Sequence, residues 1–75
     1  MENLIELLSD IRSDVDFENA TDLVSGGILK SFDIIQIVGA INDEYDIAIS
    51  VSELRPENFD SVAAMLAMIE RLEDE

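Results

Sequence analysis

The sequence predicts an all-α fold, an irregular four-helix bundle containing one long ordered loop. Apolar residues recur at helical spacing in three separate stretches. The one stretch that alternates like a strand has no second strand to pair with. With 75 residues the chain can fill one core but cannot divide its apolar side chains between two, so residues 1–75 form a single domain.

The first helix is predicted over residues 2–13. Leu4, Leu8 and Ile11 share one face, widened by Ile5 and Leu7. Glu2 and Glu6 near its start and Arg12 near its end suit the helix dipole. Residues 14–30 lose that periodicity, collect Asp, Asn, Thr and Ser, and close on Gly26-Gly27, as a loop does. Val15, Phe17, Leu23, Val24, Ile28 and Leu29 are scattered through it. So many apolar residues imply a loop pinned to the core.

The second helix is predicted over residues 31–45. Ile34, Ile37, Val38, Ile41 and Tyr45 form its stripe; Asp33, Gln36, Asn42, Asp43 and Glu44 form its polar side. Gly39 in the middle costs about 1 kcal/mol relative to Ala. A close helix crossing, a partner surface or neutral drift would each account for it. Ile47, Ile49 and Val51 then read as an extended connector. Ser50-Val51-Ser52-Glu53 fits a capping box opening a short third helix over residues 51–57; Pro56 must end or kink that helix, or begin a further turn. The last helix is predicted over residues 60–72, with Asp60 as N-cap and Val62, Met65, Leu66, Ile69 and Leu72 inward. Ala63, Ala64 and Ala67 favour helix and permit close approach. Glu73-Asp74-Glu75 should fray, because acids oppose the dipole at a C-terminus.

Charge narrows the function. Eighteen acidic residues against four basic ones give −14, which repels nucleic-acid phosphates and anionic lipid. Charged partners should present basic patches; acidity that merely aids solubility is the plainer alternative. There is no His and no Cys, so the commonest general base, the commonest metal ligand and any native thiol are missing. An enzyme is not expected. No apolar run reaches the ~18 residues of a membrane span, and no basic-then-apolar leader opens the chain. Stable membrane insertion is not expected, and the reading is a cytoplasmic protein acting as a monomer.

The acidic loop also fails a metal test. Asp14, Asp16, Glu18 and Asp22 match four positions of a calcium-binding EF-hand loop. Asn19 stands where the turn needs Gly, and Ser25 where a bidentate Glu is required. No specific metal site is expected.

The most informative stretch is Gly26-Gly27-Ile28-Leu29-Lys30-Ser31-Phe32-Asp33-Ile34-Ile35. Two glycines and two apolar anchors deliver a Ser to the first turn of an amphipathic helix. Read on spacing alone, Ser31 is an N-cap. The whole chain, however, resembles the acyl and peptidyl carrier proteins, in particular the free-standing small carriers. The likeness lies in Gly27-Ile28-Leu29-Lys30-Ser31-Phe32-Asp33, in the apolar helix that follows, in Asp46-Ile47-Ala48-Ile49, and in Pro56-Glu57-Asn58-Phe59-Asp60-Ser61-Val62.

That resemblance implies 4′-phosphopantetheine attached to Ser31, taken from coenzyme A by a magnesium-using phosphopantetheinyl transferase. Its thiol would carry acyl or aminoacyl groups as thioesters, supplying the nucleophile that a Cys-free chain lacks. A helix N-terminus suits the phosphodiester, because its free N–H groups and dipole favour negative charge. Implied partners are an acyl or aminoacyl ligase and downstream enzymes of fatty acid, polyketide or nonribosomal peptide biosynthesis, with basic docking patches. By position Asp33, Asp43 and Glu44 keep the family's acidic docking charge. Gln36 and Asn42 are neutral where fatty-acid carriers are acidic, which leans towards a dedicated pathway with its own ligase. Phe32 and Ile35 are either apolar partner contacts or core.

Lys30 departs from the family, which has Asp immediately before the modified Ser. Lysine has no acceptor for capping and sets a positive charge at the positive end of the dipole. It can pair with an installed phosphate or with Asp33; a different transferase, weak modification or an altered residue would each explain it. The rival from another class is an unmodified acidic helical adaptor that binds a basic protein.

Overall fold

The computed structural model describes residues 2–74. Four α-helices run in the order α1, Glu2–Ile11; α2, Ser31–Tyr45; α3, Pro56–Phe59; and α4, Val62–Glu73, with a 3-10 turn at Val51–Glu53 before α3. No strand occurs among the described residues. α1 packs on α2 and α4, and α3 packs on α4. The all-α bundle predicted from periodicity is the observed fold.

α1 buries Leu4 and Leu8, with Ile5, Leu7 and Ile11 against the same core. Burying one such side chain is worth about 1.5–3 kcal/mol. The helix stops two residues short of the prediction. Past Ile11 the Arg12 side chain turns across to α2.

The loop that follows is ordered, as its apolar residues require. Phe17, Leu23 and Leu29 are buried, and Val15, Ala20, Val24 and Ile28 pack against them. Main-chain bonds fold it on itself: Ala20 N–H to Asp16 O, Gly26 N–H to Asp22 O and Leu29 N–H to Leu23 O. Gly27 takes φ +77°, a left-handed value, and a Cβ on Gly26 would lie 2.6 Å from the Asp22 carbonyl oxygen. The glycine pair is a steric requirement of this turn.

α2 matches its prediction at both ends. Ile37 and Ile41 are fully buried, while Ile34, Val38 and Tyr45 are half-buried beside them. Asp46 ends the helix at φ +54°, its N–H donating to Asn42 O. Asn42 also holds the connector, accepting the Ile49 N–H on Oδ1 at 3.0 Å. Gly39 faces open space, so no close helix crossing explains it.

The third helix differs from its predicted bounds, and of the outcomes expected at Pro56 the one observed is the start of a further turn. Pro56 has no N–H and drives the preceding residue into extended backbone; Arg55 sits at φ −118°, ψ 149°. One continuous helix cannot cross that point. The segment splits into the 3-10 turn and α3, with Pro56 opening α3. The expected capping box is not made either: Ser50 gives no side-chain cap, its hydroxyl lying 2.8 Å from that of Ser52. Glu53 instead grips Arg71 of α4 at 2.7 Å and accepts from Asn58.

α4 starts later than predicted. Ser61 is the N-cap, its Oγ accepting the Ala64 N–H at 3.1 Å. Asp60 is not a cap here, because its carboxylate has turned to the loop. Met68 joins Val62, Met65 and Ile69 in the core; Leu66 and Leu72 are only half-buried, and Ala63 and Ala67 face solvent. Helix continues through Glu73, where fraying was the expectation, and Glu75 lies outside the described residues.

Candidate functional site

Ser31 is the first residue of α2 and is exposed. The extended cap residue before it is Lys30, at φ −101° and ψ 170°, so the N-cap is Lys30 and Ser31 is the first helical residue. Lysine offers no acceptor, and no side chain caps this helix from the cap position. Asp33 covers one side of the entrance instead, its Oδ2 accepting the Lys30 N–H at 3.1 Å.

Asp33 does not take the place expected for a docking acid. It is only 7% exposed, and the same Oδ2 receives Arg12 Nη1 at 2.7 Å. Its carboxylate is spent inside the molecule. The Lys30 ammonium does not pair with it; it folds back near Gly27, and it makes no ion pair among the described residues. Asp43 and Glu44 are exposed further along α2.

Phe32 and Ile35 resolve the other way. They are 69% and 66% exposed, so neither belongs to the core. Val51 at 84% and Leu54 at 43% add two more large apolar side chains to the exposed surface. Ser31 opens onto a groove of about 350 Å³ between α2 and α3. Ile34 and Ile35 form its α2 side, Leu54, Pro56 and Phe59 the other, and Val24 reaches it from the loop. Arg55 is its one cationic lining residue among the described residues, set 3.7 Å from Glu57.

Two anchors hold this region. Arg12 joins Asp14 through Nε and Nη2, both at 2.9 Å, and reaches Asp33 and the Ile28 carbonyl through Nη1. The guanidinium bonds hold the Asp14 carboxyl down at about 2, and the guanidinium's own pKa is raised. On the far side, Asp60 Oδ1 accepts the Val24 and Ser25 N–H groups, which lowers its pKa.

Sequence reasoning missed Arg12, Leu54, Arg55 and Asp60 as parts of this site. The one available signal was scarcity: each Arg in so acidic a chain has many acids to choose from. The four loop acids of the metal test do not gather, since Asp14 turns to Arg12 and Asp16 to Asn19. No cluster of metal-ligating side chains occurs among the described residues. No helix among them is long and apolar enough to cross a membrane. No family model matches the chain, and no curated protein matches it significantly.

Proposed function

We propose that the chain is a carrier that holds acyl or aminoacyl groups as thioesters on 4′-phosphopantetheine attached to Ser31. The observation that carries this reading is the setting of Ser31: an exposed hydroxyl on the first turn of a 15-residue helix, at the mouth of an apolar groove. A buried Ser31 would have excluded any attachment.

The residues present fit the group. The first-turn N–H groups of α2 lack a side-chain cap from Lys30, which leaves donors beside Ser31 for a phosphodiester. Lys30, with no carboxylate partner among the described residues, adds a positive charge next to that position. The groove lies at the lower end of the size range of small-molecule sites and is lined almost wholly by apolar side chains. When bound, the group supplies a thiol that carries cargo. The chain's own part is to present the hydroxyl and to shelter apolar cargo along Ile34, Leu54 and Phe59. Phe32 and Ile35, with Asp43 and Glu44 beyond them on α2, form the face that transferase, ligase and later pathway enzymes meet.

Incubation with coenzyme A, magnesium and a broad-specificity phosphopantetheinyl transferase tests the reading by intact mass. A gain of one phosphopantetheine group, absent in Ser31→Ala, supports it. No gain with several transferases overturns it and favours the unmodified adaptor.

A further inference from the structure

Resting on the carrier reading of Ser31, we infer that Arg12 is a positioning residue that fixes the entry to α2 and so places the Ser31 hydroxyl for attachment. Arg12 lies just beyond α1, far from Ser31 in sequence, and touches the attachment segment on both sides. Its Nη1 donates to the Ile28 carbonyl at 3.3 Å before Ser31, and to Asp33 Oδ2 at 2.7 Å after it. The same Asp33 oxygen accepts the Lys30 N–H at 3.1 Å. Ile28, Lys30 and Asp33 are therefore tied together through one guanidinium and one carboxylate, with Ser31 between them.

This segment needs such a tie. Gly26 and Gly27 precede it, and Gly27 sits at a backbone angle that lends the turn no side-chain support. Lys30 occupies the cap position but cannot accept a hydrogen bond, so the usual lock on a helix entrance is missing. Asp33 supplies a substitute lock, and at 7% exposure its carboxylate requires a charged partner. Arg12 is that partner. Its planar fork engages Asp14 along one edge, which fixes the plane and aims Nη1 at Asp33 and Ile28. Lysine at position 12 would keep the charge and lose this geometry.

The test compares wild type with Arg12→Lys and Arg12→Ala, and with Arg71→Ala as a control that removes a different bidentate pair, the one to Glu53, and leaves the bonds of Arg12 in place. Two readouts are taken on each: amide exchange of Lys30 by NMR, and transferase kcat and KM for the carrier. Both Arg12 variants should retain helical circular dichroism while the Lys30 amide exchanges about tenfold faster. Their kcat should fall about tenfold with KM held within about twofold, because the hydroxyl is misplaced while the docking face is intact. Arg71→Ala should change neither readout. Should Arg12→Ala fail to fold, Arg12→Lys decides alone. Unchanged Lys30 exchange, unchanged kcat, or an equal loss in Arg71→Ala overturns the inference. A wild-type chain that accepts no phosphopantetheine overturns the carrier reading instead, and Lys30 exchange still decides whether Arg12 holds the entrance.

Discussion

The carboxylate of Asp60 accepts the backbone N–H of Ser25 at 2.8 Å, and the same oxygen takes that of Val24 at 2.9 Å. A third bond runs alongside, from Leu23 N–H to the Asp60 carbonyl at 2.9 Å. One residue between α3 and α4 therefore fastens the loop that carries Val24 to the groove. Asp60→Ala should lower the melting temperature and speed amide exchange at Val24 and Ser25 while leaving α2 protected. Exchange that rises evenly through the chain would show that Asp60 supports the fold at large and not this loop.

Acid should destabilise the protein. Asp14, held at about 2 against an ordinary 3.8 by Arg12, is a group whose folded pKa is depressed. Asp60, through its two amides, and Glu53, through Arg71, are lowered likewise. Such groups stabilise above their unfolded pKa and lose that contribution as pH falls through the folded one. Stability should therefore drop from about pH 4 towards about pH 2. Thermal melts should show the melting temperature falling across this range. A melting temperature that climbs steadily to pH 3 would mean that these ion pairs contribute nothing.

Net charge has a second consequence. At −14, self-repulsion opposes folding, and among the described residues three of the four basic side chains are already engaged in ion pairs. Added salt should raise the melting temperature by screening the unpaired acids. A melting temperature indifferent to ionic strength would show that the surface acids are locally compensated.

Glycine offers a two-sided check on the backbone. A Cβ at Gly39 meets nothing within 4 Å, so Gly39→Ala should stabilise α2 by about 0.5–1 kcal/mol. Gly27 sits at φ +77°, where any side chain is strained, so Gly27→Ala should destabilise. Urea titrations of the two variants should move in opposite directions. A stabilising Gly27→Ala would mean that the loop can adopt another turn.

How much of this was readable beforehand depended on the range of the interaction. α2 was placed to the residue because its periodic stripe is unbroken and a glycine-bearing loop precedes it. Loop order was readable from Phe17, Leu23 and Leu29, whose burial follows from composition alone. Asp33 was misplaced because its partner, Arg12, is distant in sequence, and nothing local distinguishes an acid facing solvent from one facing a guanidinium. The same holds for Asp60: as a cap it satisfies the local pattern, while the amides it serves lie 35 and 36 residues away. The break before α3 was half visible in Pro56, whose effect on Arg55 is local. Whether Phe32 and Ile35 faced inward could not be read, because the α2 stripe is wide enough to include or omit them.

Phe32 and Phe59 make the sharpest contrast between fold and site. Phe59 is 1% exposed, and truncating such a side chain to Ala costs about 3–5 kcal/mol, a large share of the stability a domain this small can hold. Phe32 is 69% exposed and Ile35 66%, so neither gives up packing when replaced. Phe32→Gln and Ile35→Gln should leave the melting temperature unchanged or slightly raised, while Phe59→Ala should unfold much of the population. If the exposed pair serves partners, the double variant Phe32→Gln/Ile35→Gln should raise the transferase KM several-fold with Ser31 still modifiable. A double variant modified at the wild-type rate would remove this patch from the docking face and leave Asp43 and Glu44 as its contacts.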